Sequence, residues 1–145
     1  MADFWFAVAC NRPRLRDPVA GTRIIAQYWF DFDIEVKISP DADGHACLHI
    51  EGDGWPACWP LPEGMSGEDY YPDYPTEGQE EFAAFLIEIA PQLAEPLIVQ
   101  AIGTVSGRFP LSACQWRVEP GSSAVAKTEF TAPAQSDAHL SLASA

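Results

Sequence analysis

The sequence predicts an α+β fold in which one amphipathic helix packs on a mostly antiparallel sheet of about five or six strands. Two patterns support this prediction. Apart from Trp29, apolar and polar residues alternate from Tyr28 to Ile38, which is typical of a strand with one buried face. Further along, four apolar residues recur at the spacing of a helix stripe: Phe82, Phe85, Leu86 and Ile89.

The N-terminal part of the chain is predicted to hold a strand, a loop and a hairpin. Residues 3–10 form a short apolar run, whereas residues 11–21 hold two prolines and three arginines and are predicted to be a loop. After the alternating run 28–38, the turn-forming residues 39–44 reverse the chain. Residues 45–51 then alternate again, which completes the hairpin.

A long loop and a helix follow the hairpin. Residues 52–75 carry five prolines, so no regular element is expected there. Thr76 and Gln79 have the spacing of a capping box, which predicts a helix that begins next to them and ends near Ala90, before Pro91. Three apolar runs then predict the remaining strands: 97–102, 113–119 and 124–131. The element order is therefore β-β-β-long loop-α-β-β-β.

One domain is expected over residues 1–131, followed by a flexible polar tail over 132–145. The N-terminus lacks the basic flank of a signal peptide, and no run approaches the roughly 18 apolar residues of a membrane span. The four cysteines contain no CxxC pair, which favours free buried thiols. These features predict a cytoplasmic protein without a membrane partner.

Negative charge is concentrated in the middle of the chain. The formal net charge is −13, and residues 31–88 hold fifteen acidic residues but only one basic residue, Lys37. Such a charge repels phosphate and argues against direct binding of nucleic acid or of anionic membranes. It favours a basic partner surface, including that of a nucleic-acid-binding protein. A purely solubilising role for these acids is the alternative.

Two segments are predicted to form the contact surface. Alternation places Asp31, Asp33 and Glu35 together on the outward face of one strand. The loop mixes acids with tyrosines, which are favoured interface anchors, unless its rings fold back over the core. The predicted partner-binding residues of the loop are Glu68, Asp69, Tyr70, Tyr71 and Asp73.

Few residues indicate catalysis or a cofactor. The chain has no nucleophile elbow and no phosphate-binding loop with lysine, so no catalytic residue is assigned and no cofactor is expected. His45, Cys47 and His49 alternate on the outward face of one strand, beside a position such as Glu35 across the hairpin. These residue types can bind transition metals, so the three are the candidate metal ligands.

The sequence therefore favours a small acidic, non-enzymatic binding protein that inhibits a partner with a basic surface. Inhibitors of the immunity, anti-restriction or anti-CRISPR type share this charge and size, and mimicry of DNA is one variant of the hypothesis. The alternatives are a metal-binding module or metal-dependent enzyme centred on His45, Cys47 and His49, and a structural subunit of a larger assembly. The oligomeric state is left open.

Overall fold

A six-stranded antiparallel sheet forms the framework of the computed structural model, which describes residues 4–31, 33–70, 78–105 and 111–131. Its strands follow the order β3-β4-β1-β6-β7-β8, and β2 and β5 form a separate two-stranded sheet. The strands are β1 Phe4–Cys10, β2 Tyr28–Phe30, β3 Ile34–Pro40, β4 Ala46–Gly52, β5 Cys58–Pro60, β6 Leu97–Val105, β7 Leu111–Val118 and β8 Ala126–Thr131. The predicted α+β class is confirmed.

One face of the large sheet packs against helix α2, Gln79–Ile89. The four residues of the predicted stripe, Phe82, Phe85, Leu86 and Ile89, are all fully buried. Phe82 stacks edge-on against Trp116 of β7, with ring centroids 5.4 Å apart. Burying four side chains of this size contributes roughly 6–12 kcal/mol before entropic costs, and this fixes the helix on the sheet.

The start of α2 lies at the predicted capping box, of which the described residues include only Gly78 and Gln79. The helix begins at Gln79, and its N-cap Gly78 has no side chain to accept a hydrogen bond. Thr76 and Glu77 lie outside the described residues. At the other end, Pro91 lies in a short 3₁₀ turn that extends the helix over Ala90–Gln92, because proline is tolerated in the first turn of such a segment.

A second helix, α1, occupies Pro18–Ile25, so the prediction of a loop over 11–21 was wrong from Pro18 onward. Asp17 caps it by accepting a hydrogen bond from the Ala20 backbone N–H at 3.0 Å, and Pro18 stands at the first helical position. Gly21 allows close approach, because a Cβ there would lie 3.1 Å from Ile38 of β3. Pro18 therefore starts a helix here instead of preventing one.

The predicted single strand 28–38 is also wrong, because the chain bends between β2 and β3. β2 pairs with β5, with Trp29 opposite Trp59, while β3 pairs with β4 in the large sheet. At the bend, the backbone N–H of Ile34 donates to the carbonyl of Asp31 at 2.7 Å, which is a turn and not an extended strand. Phe32 lies outside the described residues.

The hairpin β3–β4 is confirmed, with seven register pairs from Ile34 opposite Gly52 to Pro40 opposite Ala46. The long loop after it holds two short elements that the prolines concealed: β5 and a 3₁₀ turn at Gly67–Asp69. The predicted tail 132–145 lies outside the described residues. No helix in the described ranges is both long and apolar enough to cross a membrane.

Candidate functional site

One face of the hairpin carries a cluster of ionisable side chains. Glu35 lies opposite Glu51, and Lys37 lies opposite His49. His49 Nε2 is 3.1 Å from Glu51 Oε1 and 3.7 Å from Glu35 Oε1, as the hairpin register predicts for Glu35. Lys37 Nζ lies 3.1 Å from Glu35 Oε1, and an Arg12 guanidinium nitrogen lies 3.7 Å from Glu51 Oε2. We call Glu35, His49 and Glu51 the hairpin triad.

The predicted metal ligands His45, Cys47 and His49 do not converge on one point. His49 joins the hairpin triad, while His45 lies with Asp41 and Asp43 in the turn between the strands. Cys47 is buried, and its thiol lies 3.8 Å from Asp41 Oδ2. Burial, followed by the proximity of Asp41, raises the pKa of this thiol.

The bend between β2 and β3 gathers three aspartates, Asp31, Asp33 and Asp53, which we call the acidic corner. The Asp33 N–H donates to Asp31 Oδ1 at 3.1 Å, and the Asp53 N–H donates to the Asp33 carbonyl at 3.1 Å. Asp33 and Asp53 are exposed, and Asp31 is half-buried. Burial raises the pKa of the Asp31 carboxyl, against the lowering effect of the hydrogen bond from Asp33.

The Gly67–Asp69 turn places two further acids beside β2. A Cβ at Gly67 would lie 2.7 Å from the Trp29 ring, so this turn rests directly on β2. Glu68 and Asp69 are exposed, and Asp69 accepts a hydrogen bond from the Ser66 hydroxyl at 2.9 Å. Tyr70 follows the turn and is half-buried.

The structure divides the predicted contact residues into separate sets. Asp31 and Asp33 lie in the acidic corner, Glu35 belongs to the hairpin triad, and Glu68 and Asp69 lie on the turn. The outward stripe expected for Asp31, Asp33 and Glu35 does not form, because the chain leaves β2 before β3 begins. Two other predicted contacts, Tyr71 and Asp73, lie outside the described residues.

Several lysines and arginines form ion pairs among the described residues. Their partners are not the acids of the acidic corner or of the Gly67–Asp69 turn. Arg14 holds Glu95 through two side-chain nitrogens at 2.9 and 3.1 Å. The other basic residues in such pairs are Arg12, Lys37, Arg117 and Lys127. In the described part of the chain no salt bridge reaches Asp31, Asp33, Asp53, Glu68 or Asp69.

Sequence reasoning missed a polar cleft of about 430 Å³ at the closed end of the hairpin. It is lined by Arg12 and Arg14 from the segment after β1, by Asp41 and Cys47 from the hairpin, and by Glu95. Arg12 adopts a left-handed backbone with φ of 52°, which few non-glycine residues do. The prolines and arginines of this segment marked it as irregular but could not show that it lies against the hairpin.

Comparison with protein-family models, curated proteins and solved structures finds no match to this chain.

Proposed function

We propose that this chain is a small acidic binding protein that docks on a basic surface of a partner protein and inhibits that partner. The observation that supports this proposal is that five acids with no ion pair to another described residue are grouped around β2: Asp31, Asp33, Asp53, Glu68 and Asp69. The acidic corner follows the end of β2, and the turn that carries Glu68 and Asp69 rests on Trp29 in the middle of that strand. The ion pairs of the described residues lie elsewhere.

Acids that are grouped in one patch attract a basic partner more strongly than scattered acids do. A patch of one sign can raise association rates by roughly 10- to 1000-fold at low ionic strength, and salt reduces that effect. Tyr70 is half-buried, directly follows Asp69 and adds aromatic area of the kind that anchors interfaces. A basic surface with an apolar centre is the complement of this arrangement.

The hairpin makes DNA mimicry the less favoured form of the proposal. A DNA-like surface needs rows of free negative charge, whereas Glu35 and Glu51 contact Lys37, His49 and Arg12. We therefore propose a compact acidic patch, and a nucleic-acid-binding protein is one class of basic partner that such a patch fits.

Affinity capture with charge-matched baits tests the proposal. One bait carries Asp31→Asn, Asp33→Asn and Asp53→Asn, and a control bait loses the same charge through Asp43→Asn, Glu119→Gln and Glu129→Gln. We expect wild type and control to retain the same basic protein at low salt and to release it at high salt, while the corner variant fails to retain it. The purified partner is then assayed with and without the wild-type chain, and inhibition is expected.

Equal retention by the corner variant and the control would refute the assignment of the interface. Retention without any effect on the activity of the partner would support binding and reject inhibition. A second variant, Glu68→Gln with Asp69→Asn, tests whether the turn belongs to the same surface, because it should weaken capture without altering the acidic corner.

A further inference from the structure

The hairpin triad brings three metal-ligating atoms together on one face of a sheet. One atom from each of Glu35, His49 and Glu51 lies within 4.8 Å of the other two. An imidazole nitrogen with carboxylate oxygens is a donor set typical of zinc and related transition metals. We propose that the triad binds a divalent transition-metal ion, with Zn²⁺ as the probe, independently of the proposed docking function.

Strand pairing fixes the relative positions of the three ligands. Glu35 and Glu51 are register partners, and His49 precedes Glu51 by two residues, so all three project from the same face. Ligands held on paired strands need little ordering when a metal arrives. Two carboxylates directly opposite each other repel, and a divalent cation between them replaces that repulsion with attraction.

The burial of His49 distinguishes the triad from a surface cluster of acids. Its side chain is 7 % exposed, and its Nε2 atom lies 3.1 Å from Glu51 Oε1 and 3.7 Å from Glu35 Oε1. The glutamates themselves are about half exposed, which leaves a route for an ion from solvent.

Two basic side chains contact the triad. One contacts a glutamate oxygen that faces His49, and the other contacts a glutamate oxygen that does not. Lys37 Nζ contacts Glu35 Oε1, which is also the oxygen nearest His49. Arg12 contacts Glu51 Oε2, which leaves Oε1 directed at His49. Lys37 therefore competes with a metal for a ligand atom, whereas Arg12 does not. Removal of Lys37 should strengthen metal binding.

The other group of candidate ligands, Asp41, Asp43 and His45, serves as the matched control. Asp41 Oδ1 already accepts backbone hydrogen bonds from Asp43 at 2.9 Å and His45 at 2.8 Å. These bonds, that from His45 above all, lower the pKa of the Asp41 carboxyl and indicate a turn-capping role. The three residues are exposed, so substitutions at Asp43 and His45 do not disturb the core.

Calorimetric titration of Zn²⁺ into the metal-stripped full chain tests the proposal. We expect one ion per chain, a loss of affinity of about tenfold or more in both Glu51→Gln and His49→Gln, and tighter binding in Lys37→Ala. Asp43→Asn and His45→Gln should bind as wild type does. Glu51→Gln is isosteric and half exposed, so it tests the site even if the buried His49 variant fails to fold, which circular dichroism would reveal.

Three results would overturn the proposal: no saturable Zn²⁺ binding by the wild type, unchanged affinity in Glu51→Gln, or loss of binding in His45→Gln instead. The first would identify the triad as an ion-pair network only. Because the acidic corner is untouched in these variants, failure here leaves the capture experiment valid. Conversely, the corner variant should retain its Zn²⁺ affinity even if it captures no partner.

Discussion

Substitution of Gly52 by alanine should destabilise the fold where β4, β3 and β1 meet. Gly52 is the register partner of both Ile34 and Val8. An alanine Cβ at this position would lie 1.9 Å from the carbonyl oxygen of Asp33 and 2.9 Å from the Ile34 Cα atom. A comfortable contact is roughly 3.5 Å, so the Asp33–Ile34 backbone would have to move by about 1.5 Å.

The cost of that movement follows from two contributions. The displacement breaks the hydrogen bond from the Asp53 N–H to the Asp33 carbonyl, 3.1 Å in the native chain, which is worth about 1 kcal/mol. Overpacking strain in a well-packed region typically adds about 1–3 kcal/mol. The free energy of unfolding should therefore fall by about 2–4 kcal/mol, which lowers the Tm by roughly 10 °C in a chain of this size.

Urea unfolding followed by tryptophan fluorescence, with thermal melts by circular dichroism, measures this effect. Gly54→Ala is the matched control, because its Cβ would lie 3.3 Å from Asp33 Cβ and 3.7 Å from the next nearest atoms. The control should lose less than about 1 kcal/mol. The steric prediction is wrong if the free energy of unfolding of Gly52→Ala lies within about 0.5 kcal/mol of the wild-type value. It is also wrong if Gly52→Ala and Gly54→Ala lower that free energy equally.

Three further predictions concern the core, Asp31 and the thiols. Phe82→Ala removes a fully buried ring and should lower the free energy of unfolding in urea by about 3–5 kcal/mol. Ala84 is an exposed residue of the same helix, and Ala84→Ser should change that free energy by less than about 0.5 kcal/mol. Burial raises the pKa of Asp31, so the native state binds its proton more tightly than the unfolded chain, and ionisation costs stability as the pH rises above about 4. Asp31→Asn should therefore stabilise the protein at pH 7 and lose that advantage near pH 3; equal gains at both would contradict this. Burial raises the pKa of Cys114 to about 11 and raises that of Cys58 further. Both thiols should therefore react with a thiol reagent only after denaturation. Rapid labelling of these two cysteines in the native chain would contradict this.

The hairpin and the core helix were predictable because each repeats one pattern over several residues. Alternation indicated the strands on both sides of the turn, and the spacing of Phe82, Phe85, Leu86 and Ile89 indicated the buried stripe. Helix α1 left a weaker signal, an N-cap aspartate followed by proline, in a segment whose proline and glycine content favours a loop. The helix forms there because Gly21 lets it pack closely against Ile38.

The candidate site was only partly predictable, since its geometry depends on contacts between distant segments. Alternation continues through Asp31 and Asp33, so nothing in the local pattern indicates the bend between β2 and β3. The bend arises because β2 pairs with β5, about thirty residues further along the chain. The pairing of Glu51 with Arg12 depends on the segment after β1 lying beside the hairpin, which no local pattern shows.

The sequence by itself determined the α+β class, the hairpin, the buried face of α2 and the excess of acid in the middle of the chain, because composition and short-range periodicity encode these properties. Only the tertiary structure decided which of the described acids lie in ion pairs. It placed Glu35 and Glu51 against His49, Lys37 and Arg12, and it left the acidic corner without a described basic partner. The physical reason is that an ion pair requires two side chains within about 4 Å, and chain folding sets that distance between residues far apart in sequence.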